Sequence, residues 1–293
     1  MKETQALDWL YQQLPVGDDC AITELEGTHL LSTVDMLHKE TDFPEGTSHF
    51  TVGWRCAAVS LSDIAAMAGQ PEGILLAYGA PSFDRGNLES FLKGAQAVTK
   101  RHGAEIIGGD LDKHSELTVV STALGTADNP VFRQGASPGD LVAVTGQLGR
   151  TAVALNLFEA GQREQANDLF QFEPRITEGL SLAAQATSMM DISDGLARSL
   201  YQLKQANQIG FEVDYERIPL ADEMEQLNLS PEQEKEYALY TGEDYELLFT
   251  IPPESKFEAA KIGGSIIGEV VEGGVYLNVS GQRTSLEDRG YVH

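Results

Sequence analysis

Basic residues are scarce in this sequence. Twenty Lys and Arg stand against 45 Asp and Glu, for a net charge of -25 over 293 residues. A nucleic-acid partner needs a basic footprint, so that balance excludes one. It excludes an anionic membrane surface for the same reason. Cysteine is nearly absent. Cys20 and Cys56 match no zinc spacing and fit a reducing compartment. No apolar run approaches the ~18 residues of a membrane span. The first fourteen residues, MKETQALDWLYQQL, are too polar for a secretory signal. These absences predict a soluble, cytoplasmic protein. Also missing is the phosphate-binding loop Gly-x-x-x-x-Gly-Lys-Ser/Thr, and with it the protein-kinase set of Gly-rich loop, strand Lys and His-Arg-Asp. If the chain handles ATP, metal ions must neutralise the phosphates. His29, His38, His49, His102 and His114 show no metal-ligand spacing and read as surface or packing residues.

What the chain does have is acid beside small residues. Six motifs recur along it: Gly17-Asp18-Asp19, Ser32-Thr33-Val34-Asp35, Leu61-Ser62-Asp63, Gly108-Gly109-Asp110, Asp191-Ile192-Ser193-Asp194-Gly195 and Gly242-Glu243-Asp244-Tyr245-Glu246. Carboxylates supply the oxygen ligands that hard cations take, and Gly and Ser let backbone approach phosphate closely. No single motif is specific. Together they suggest a polynuclear Mg²⁺–nucleotide site assembled from distant segments.

The apolar content of 42% is enough for a core without staples. Strand patterns fall at 29–37, 73–80, 104–108 and 116–125, with helices at 53–68 and 87–101 between them. Helical spacing of Trp54, Ala57, Ala58, Leu61, Ala65 and Ala68 predicts an amphipathic helix with Asp63 on its polar face. After a Gly-, Pro- and Asn-rich stretch at 126–140, strands are predicted at 141–145, 211–215, 245–251, 265–271 and 274–279. Helices are predicted at 150–160, 176–186 and 196–207. The polar stretch 161–173 reads as a loop. The expectation is two α/β domains, 1–130 and 138–293.

Each motif also has a plainer reading. Gly17-Asp18-Asp19 makes a simple turn, although it directly precedes a strand start at Cys20. Asp35 is more telling, because it interrupts an apolar strand where an unpaired charge is costly. A metal or a buried salt bridge would explain it. Gly108-Gly109-Asp110 reads as the end of a strand, where α/β folds bind ligands, or as a tight turn. Ser193 or Asp194 caps a helix, binds a phosphate at its N-terminus, or does both. Three acids around Tyr245 make a solvated edge or a site. Arg133 is a surface residue or a bidentate phosphate ligand.

In order, Gly-Asp-Asp, Ser-Thr-x-Asp, Gly-Trp-Arg…Leu-Ser-Asp-Ile-Ala-Ala-Met, Gly-Gly-Asp, Arg-x-Gly-Ala-x-Pro-Gly-Asp, Val-Thr-Gly-x-Leu-Gly, Asp-Ile-Ser-Asp-Gly-Leu and Thr-Gly-Glu-Asp-Tyr-Glu-Leu-Leu-Phe-Thr occur, closing on Gly290-Tyr291-Val292-His293. This set resembles the thiamine-monophosphate kinases of the aminoimidazole-ribonucleotide synthetase superfamily, from about Gly17 to the last residue. The resemblance implies a mixed α/β, two-domain fold whose N-terminal domain joins a partner's strands in a dimeric β-barrel. It implies a homodimer that uses ATP and several Mg²⁺ ions to phosphorylate thiamine monophosphate. Metal ligands then fall on Asp19, Thr33, Asp35, Asp63, Asp110, Asp191 and Asp194, of which Asp35, Asp63 and Asp194 carry the catalysis. Nucleotide contacts fall on Gly109, Asp110, Arg133 and Ser193, and substrate contacts on Asp42, Glu243 and Tyr291.

Two departures stand out. Val34 replaces a hydroxyl residue before Asp35, and Glu40-Thr41-Asp42-Phe43 stands where bacterial members have Gly-x-His-Phe. Another ATP-dependent reaction of the superfamily, or a catalytically silent nucleotide-binding dimer, remains an alternative. The acids outside the motifs, twelve of them in 212–246 against Arg217 and Lys235, read as solubilising charge or as adaptation to high salt.

Overall fold

The computed structural model describes residues 17–291 and, ahead of them, Ala6, Trp9, Leu10, Gln13 and Leu14. Most of the stretch read as non-secretory, and Val292 and His293 of the terminal motif, lie outside the described residues.

Two sheets organise the chain. The first holds β1 (Ala21–Leu25), β2 (Thr28–His38), β3 (Gln70–Ala80), β4 (Glu105–Lys113) and β5 (Thr118–Ala127), in the order β1-β2-β5-β3-β4. Only β3 and β4 run parallel. Helix α1 (His49–Ala66) packs on β2, β3 and β5, and α2 (Arg85–Arg101) packs on α1. Ser48 caps α1 by accepting from Thr51 N at 3.1 Å, and Asp84 caps α2 by accepting from Asn87 N at 2.9 Å. The two helices touch backbone to backbone. A Cβ on Gly53 would sit 1.9 Å from Phe91 O, and one on Gly94 would sit 1.9 Å from Phe50 O.

The second sheet holds β6 (Leu141–Val144), β7 (Ser188–Asp191), β8 (Gly210–Asp214), β9 (Leu247–Ile251), β10 (Ser265–Val271), β11 (Val275–Val279) and β12 (Gln282–Ser285). Their order is β12-β11-β8-β10-β6-β9-β7. Helices α3 (Arg150–Glu159), α4 (Arg163–Phe170), α5 (Ile176–Leu182), α6 (Leu196–Asn207), α7 (Pro231–Leu239) and α8 (Lys256–Lys261) complete the chain. One hydrophobic core runs from α1 and the first sheet through Val153, Phe170, Met189 and Phe249, so the two halves share packing. A second core lies between α6 and the second sheet, with residues from β6 through β11.

The architecture is mixed α/β, as the alternating patterns predict. Several local expectations are corrected. The stretch 161–173 contains α4, whose Ala166, Leu169 and Phe170 recur at helical spacing and are buried. Helix α1 is not amphipathic in effect. The sheet covers one side and α2, α5 and α4 cover others, so even Arg55, Ser60 and Ser62 are buried. Gly108-Gly109-Asp110 does not end a strand but lies inside β4, which continues to Lys113. Strand β9 begins at Leu247 rather than at Tyr245, because Glu243 and Tyr245 both take positive φ, 58° and 51°. Both sheets are open, and neither closes a barrel within the chain.

Candidate active site

Four of the six acidic motifs meet where α1 runs between the two sheets. Thr33 and Asp35 are two apart on β2, so both side chains face α1. Thr33 Oγ1 donates to Asp63 Oδ2. Ser60 Oγ donates to Asp35 Oδ2 at 2.6 Å and is itself 2.6 Å from Ser121 Oγ on β5. Ser62, on the same helix, donates to Asp191 Oδ2 at 2.6 Å, at the end of β7 in the other sheet. Asp19 enters from just before β1. One oxygen from each of Asp19, Asp63 and Asp191 lies within 4.8 Å of the others.

These carboxyls repel one another and are short of solvent. Burial, then Asp35, Asp191 and Asp19, pushes Asp63 well above the usual carboxylate range. Burial and then Asp19 push Asp191 up to about 8, while the Ser62 hydrogen bond and Arg133 pull the other way. Asp35 is raised, chiefly by burial. Asp18 is pushed up to about 6 by burial and then by Asp19. The cation on this cluster is Arg133, whose Nη2 and Nε donate to the two oxygens of Asp19 at 2.6 and 3.3 Å. Arg133 N also donates to both oxygens of Asp18 at 3.2 and 3.3 Å. An all-oxygen donor set, convergent and undercompensated, is the chemistry that holds a hard divalent cation. Beside it opens a cavity of about 660 Å³, lined among others by Asp18, Asp19, Thr33, Phe132 and Arg133. That volume suits a nucleotide.

The remaining predicted residues divide between this place and others. Ser193, Asp194, Glu243 and Tyr291 come together through backbone. Glu243 N donates to Ser193 O at 2.6 Å, Tyr245 N to Ile192 O at 3.0 Å and Tyr291 N to Asp194 O at 3.0 Å. The turn after Asp191 is thus held between the Glu243 loop and the C-terminal segment. Asp42 is buried in the single helical turn Lys39–Asp42, where it accepts from His38 N at 2.6 Å and Thr41 Oγ1 at 2.7 Å. Gly109 packs its backbone against β3, for a Cβ there would lie 1.8 Å from Leu76 O.

Asp110 is apart from the cluster. Register aligns it with Ala77, then Val120, then Met36 across β3, β5 and β2. Three strand spacings, roughly 14 Å, separate it from the Asp35 position. It also shares the outer face of the sheet with Ala77 and Val120, while Asp35 bonds Ser60 on the helix face.

The motif reading gives no role to three residues that support the site: Ser60, and Ser62 and Arg55, which stand inside the motifs themselves. Arg55 offered the clearest signal, a lone cation inside the apolar run of α1. Its guanidinium carbon sits 3.8 Å from the centroid of the Phe170 ring, and its Nη2 lies 3.1 Å from Glu243 Oε1.

A carboxylate cluster at the seam of two open α/β sheets, beside a nucleotide-sized cavity, defines a class. The chain matches the AIR synthase related protein N-terminal domain over residues 17–127 and its C-terminal domain over residues 137–279. Within that class the curated relatives narrow the family. The thiamine-monophosphate kinase of Halobacterium salinarum is 48% identical, with 94% of each chain covered. That of Methanospirillum hungatei is 43% identical over 94% of this chain and 93% of its own. The structure of AaThiL complexed with AMPPCP and TMP superposes with a TM-score of 0.90 at 29% identity, covering 100% of this chain and 97% of that one. The chain belongs to the thiamine-monophosphate kinase family. No described helix is long and apolar enough to cross a membrane.

Proposed function

We propose that this chain transfers the γ-phosphoryl group of ATP to the phosphate of thiamine monophosphate, giving thiamine diphosphate and ADP. The convergence of Asp19, Asp63 and Asp191 beside the 660 Å³ cavity carries the reading, within a family whose named relatives are such kinases. A phosphate oxygen of the substrate attacks the γ-phosphorus in line, and the bond to the β,γ-bridging oxygen breaks. The attacking phosphate is already ionised, so positioning and charge neutralisation matter more than a base. Asp19, Asp63 and Asp191 would hold Mg²⁺, which would supply that neutralisation.

The chain's own groups orient those carboxylates. Ser60, Ser62 and Thr33 each fix one oxygen of Asp35, Asp191 and Asp63. Asp194 and Ser193 sit on the turn that leads into α6, where backbone N–H groups favour an anion. Arg133 borders the cavity, in reach of a polyphosphate. Glu243 and Tyr291 flank the same turn as substrate contacts, and an aromatic face at Tyr291 suits a pyrimidine or thiazolium ring.

The active form is a homodimer of the cytoplasm in this reading. Val34 and Met36 on β2 and Leu75 on β3 point away from α1 and are 66%, 57% and 39% exposed. Ile107 and Leu111 are exposed on the edge strand β4. A second copy covering this face closes the sheets toward a barrel and brings Asp110 of the partner subunit to the nucleotide. Two free, buried cysteines agree with a reducing compartment. The test is direct: purified protein, ATP, Mg²⁺ and thiamine monophosphate, with thiamine diphosphate followed by chromatography. Product should accumulate in a Mg²⁺-dependent manner. No product at any KCl concentration refutes the kinase.

A further inference from the structure

Arg55 is fully buried in α1. It lies under an aromatic box. Its guanidinium carbon is 3.8 Å from the Phe170 centroid, 5.4 Å from Phe172 and 5.7 Å from Tyr245. Phe172 and Tyr245 stack on each other at 4.1 Å and 14°. Nη1 donates to Phe170 O at 3.0 Å, but Nε and Nη2 have no hydrogen-bond acceptor among the described residues. The carboxylate paired with it is Glu243, whose Oε1 lies 3.1 Å from Nη2.

The Glu243 backbone is as tightly held as its side chain. Glu243 itself takes φ 58°, a conformation non-glycine residues seldom adopt. Its neighbour Gly242 has φ 78°, and a Cβ there would fall 2.5 Å from Ser193 O. The loop is therefore pressed onto the turn that carries Ser193 and Asp194. Arg55 comes from the first half of the chain and Glu243 from the second, so the pair also crosses the seam at which the site is built.

We infer that Arg55 is a positioning residue for substrate selection: it holds the Glu243 carboxylate in place as the contact for the cationic, amine-bearing thiamine moiety. This rests on the kinase reading and extends it to a residue that does not touch substrate. The alternative is that Arg55 only fills the core. Burial of a guanidinium is a poor way to fill a core, because an apolar residue of similar volume does so without a desolvated charge. A permanently charged donor beside a substrate-facing carboxylate has a use that a methionine lacks. Lysine does not replace it, since a single ammonium cannot reach Phe170 O and Glu243 together as the planar fork does.

The test separates the two substrates. Steady-state kinetics are measured for wild type, Arg55→Met, Arg55→Lys, Glu243→Gln and the double variant Arg55→Met with Glu243→Gln. Loss of one charge-assisted contact corresponds to about a 10- to 100-fold rise in KM. That rise is expected in KM for thiamine monophosphate with Arg55→Met. KM for ATP and kcat should stay near wild type. Arg55→Lys should fall between, and the double variant should be no worse than Glu243→Gln alone. Calorimetric binding of thiamine monophosphate without ATP should follow the same order. KM for both substrates rising together, or single effects that multiply in the double variant, overturns the positioning role. So does a wild-type KM in Arg55→Lys alongside an Arg55→Met that fails to fold. A wild type that turns over no thiamine monophosphate instead overturns the kinase reading beneath it.

Discussion

Removing the metal should make the protein's stability fall with pH, and adding it back should cancel the fall. In the unfolded chain Asp191 has its ordinary value of 3.8, and in the fold it is pushed up to about 8. Between those values the folded chain holds a proton that the unfolded chain has released. Stability is therefore lost as pH rises through this window. For Asp191 alone the loss is on the order of 5 kcal/mol, and Asp63, raised for the same reasons, adds in the same direction. Mg²⁺ binds the ionised carboxylates, so it relieves a penalty that at pH 5 is only about a third of its size at pH 8. At ~2–4 °C per kcal/mol, the Mg²⁺-induced rise in Tm should be at least about 10 °C at pH 8 and about a third of that at pH 5. Thermal melts in chelator and in Mg²⁺, at matched ionic strength, read this directly. Matching matters because the surface charge also responds to pH, and that contribution is then common to both arms. Asp63→Asn removes one of the repelling charges, so it should raise the chelator melt at pH 8 and flatten its pH slope while turnover is lost. Equal Mg²⁺ effects at pH 5 and pH 8 would refute the reasoning.

Three further outcomes are expected. Gly53→Ala places a methyl 1.9 Å from Phe91 O and must push α1 from α2, at a cost of about 1–3 kcal/mol in urea unfolding; an unchanged midpoint would mean the helices are not in backbone contact. If Asp110 serves the partner's site, co-expressed Asp110→Asn and Asp63→Asn chains should regain activity through mixed dimers, about a quarter of wild type for random pairing, while each alone stays inactive; no recovery would place Asp110 in its own chain's site or in none. At -25, and with twelve acids in 212–246 of which only Asp244 and Glu246 are buried, raising KCl from 0.1 to 2 M at fixed Mg²⁺ should raise Tm, because screening shortens from ~10 Å toward 3 Å or less; a flat or falling curve leaves only the solubilising role for those acids.

The parts of the site that could be read from sequence are those built by short local patterns. Asp19, Asp63 and Asp191 each sit in a motif of acid beside small residues, and all three converge. Helix α6 and strand β10 begin and end where the patterns place them, because both are bounded by glycine or turn residues. What was not legible depends on long-range pairing. Asp110 looks like its fellow aspartates in sequence. Only the order β1-β2-β5-β3-β4, fixed by contacts between distant strands, puts it at the far edge and on the opposite face from Asp35. The sequence of α4 reads as a loop because only three of its eight residues are apolar, and their burial is decided by α1 and α3. Arg55 was visible as a charge in an apolar helix, but its partner lies in the other half of the chain.

One helix explains why site and seam coincide. Within a few turns α1 presents Arg55 to Glu243, Ser60 to Asp35 and Ser62 to Asp191. Asp63 follows and meets Asp19 and Asp191 directly. Of these, the contacts to Glu243 and Asp191 cross to the second half, and those to Asp35 and Asp19 stay in the first. An α-helix advances about 1.5 Å per residue, so the four positions span only ~12 Å. A displacement of α1 relative to either sheet would therefore disturb the acidic cluster and the Glu243 loop at once. Its burial on all sides, Gly53 and Gly94 at the α2 contact included, is what resists that displacement. The cost is that a helix carrying an arginine, two serines and an aspartate is enclosed where such groups are expensive. The serine costs are offset by named partners, and the arginine's in part by Phe170 O and Glu243. The aspartate's is offset only in part, by Thr33 on one oxygen, while Asp35, Asp191 and Asp19 add repulsion, which is the physical reason to expect a cation there.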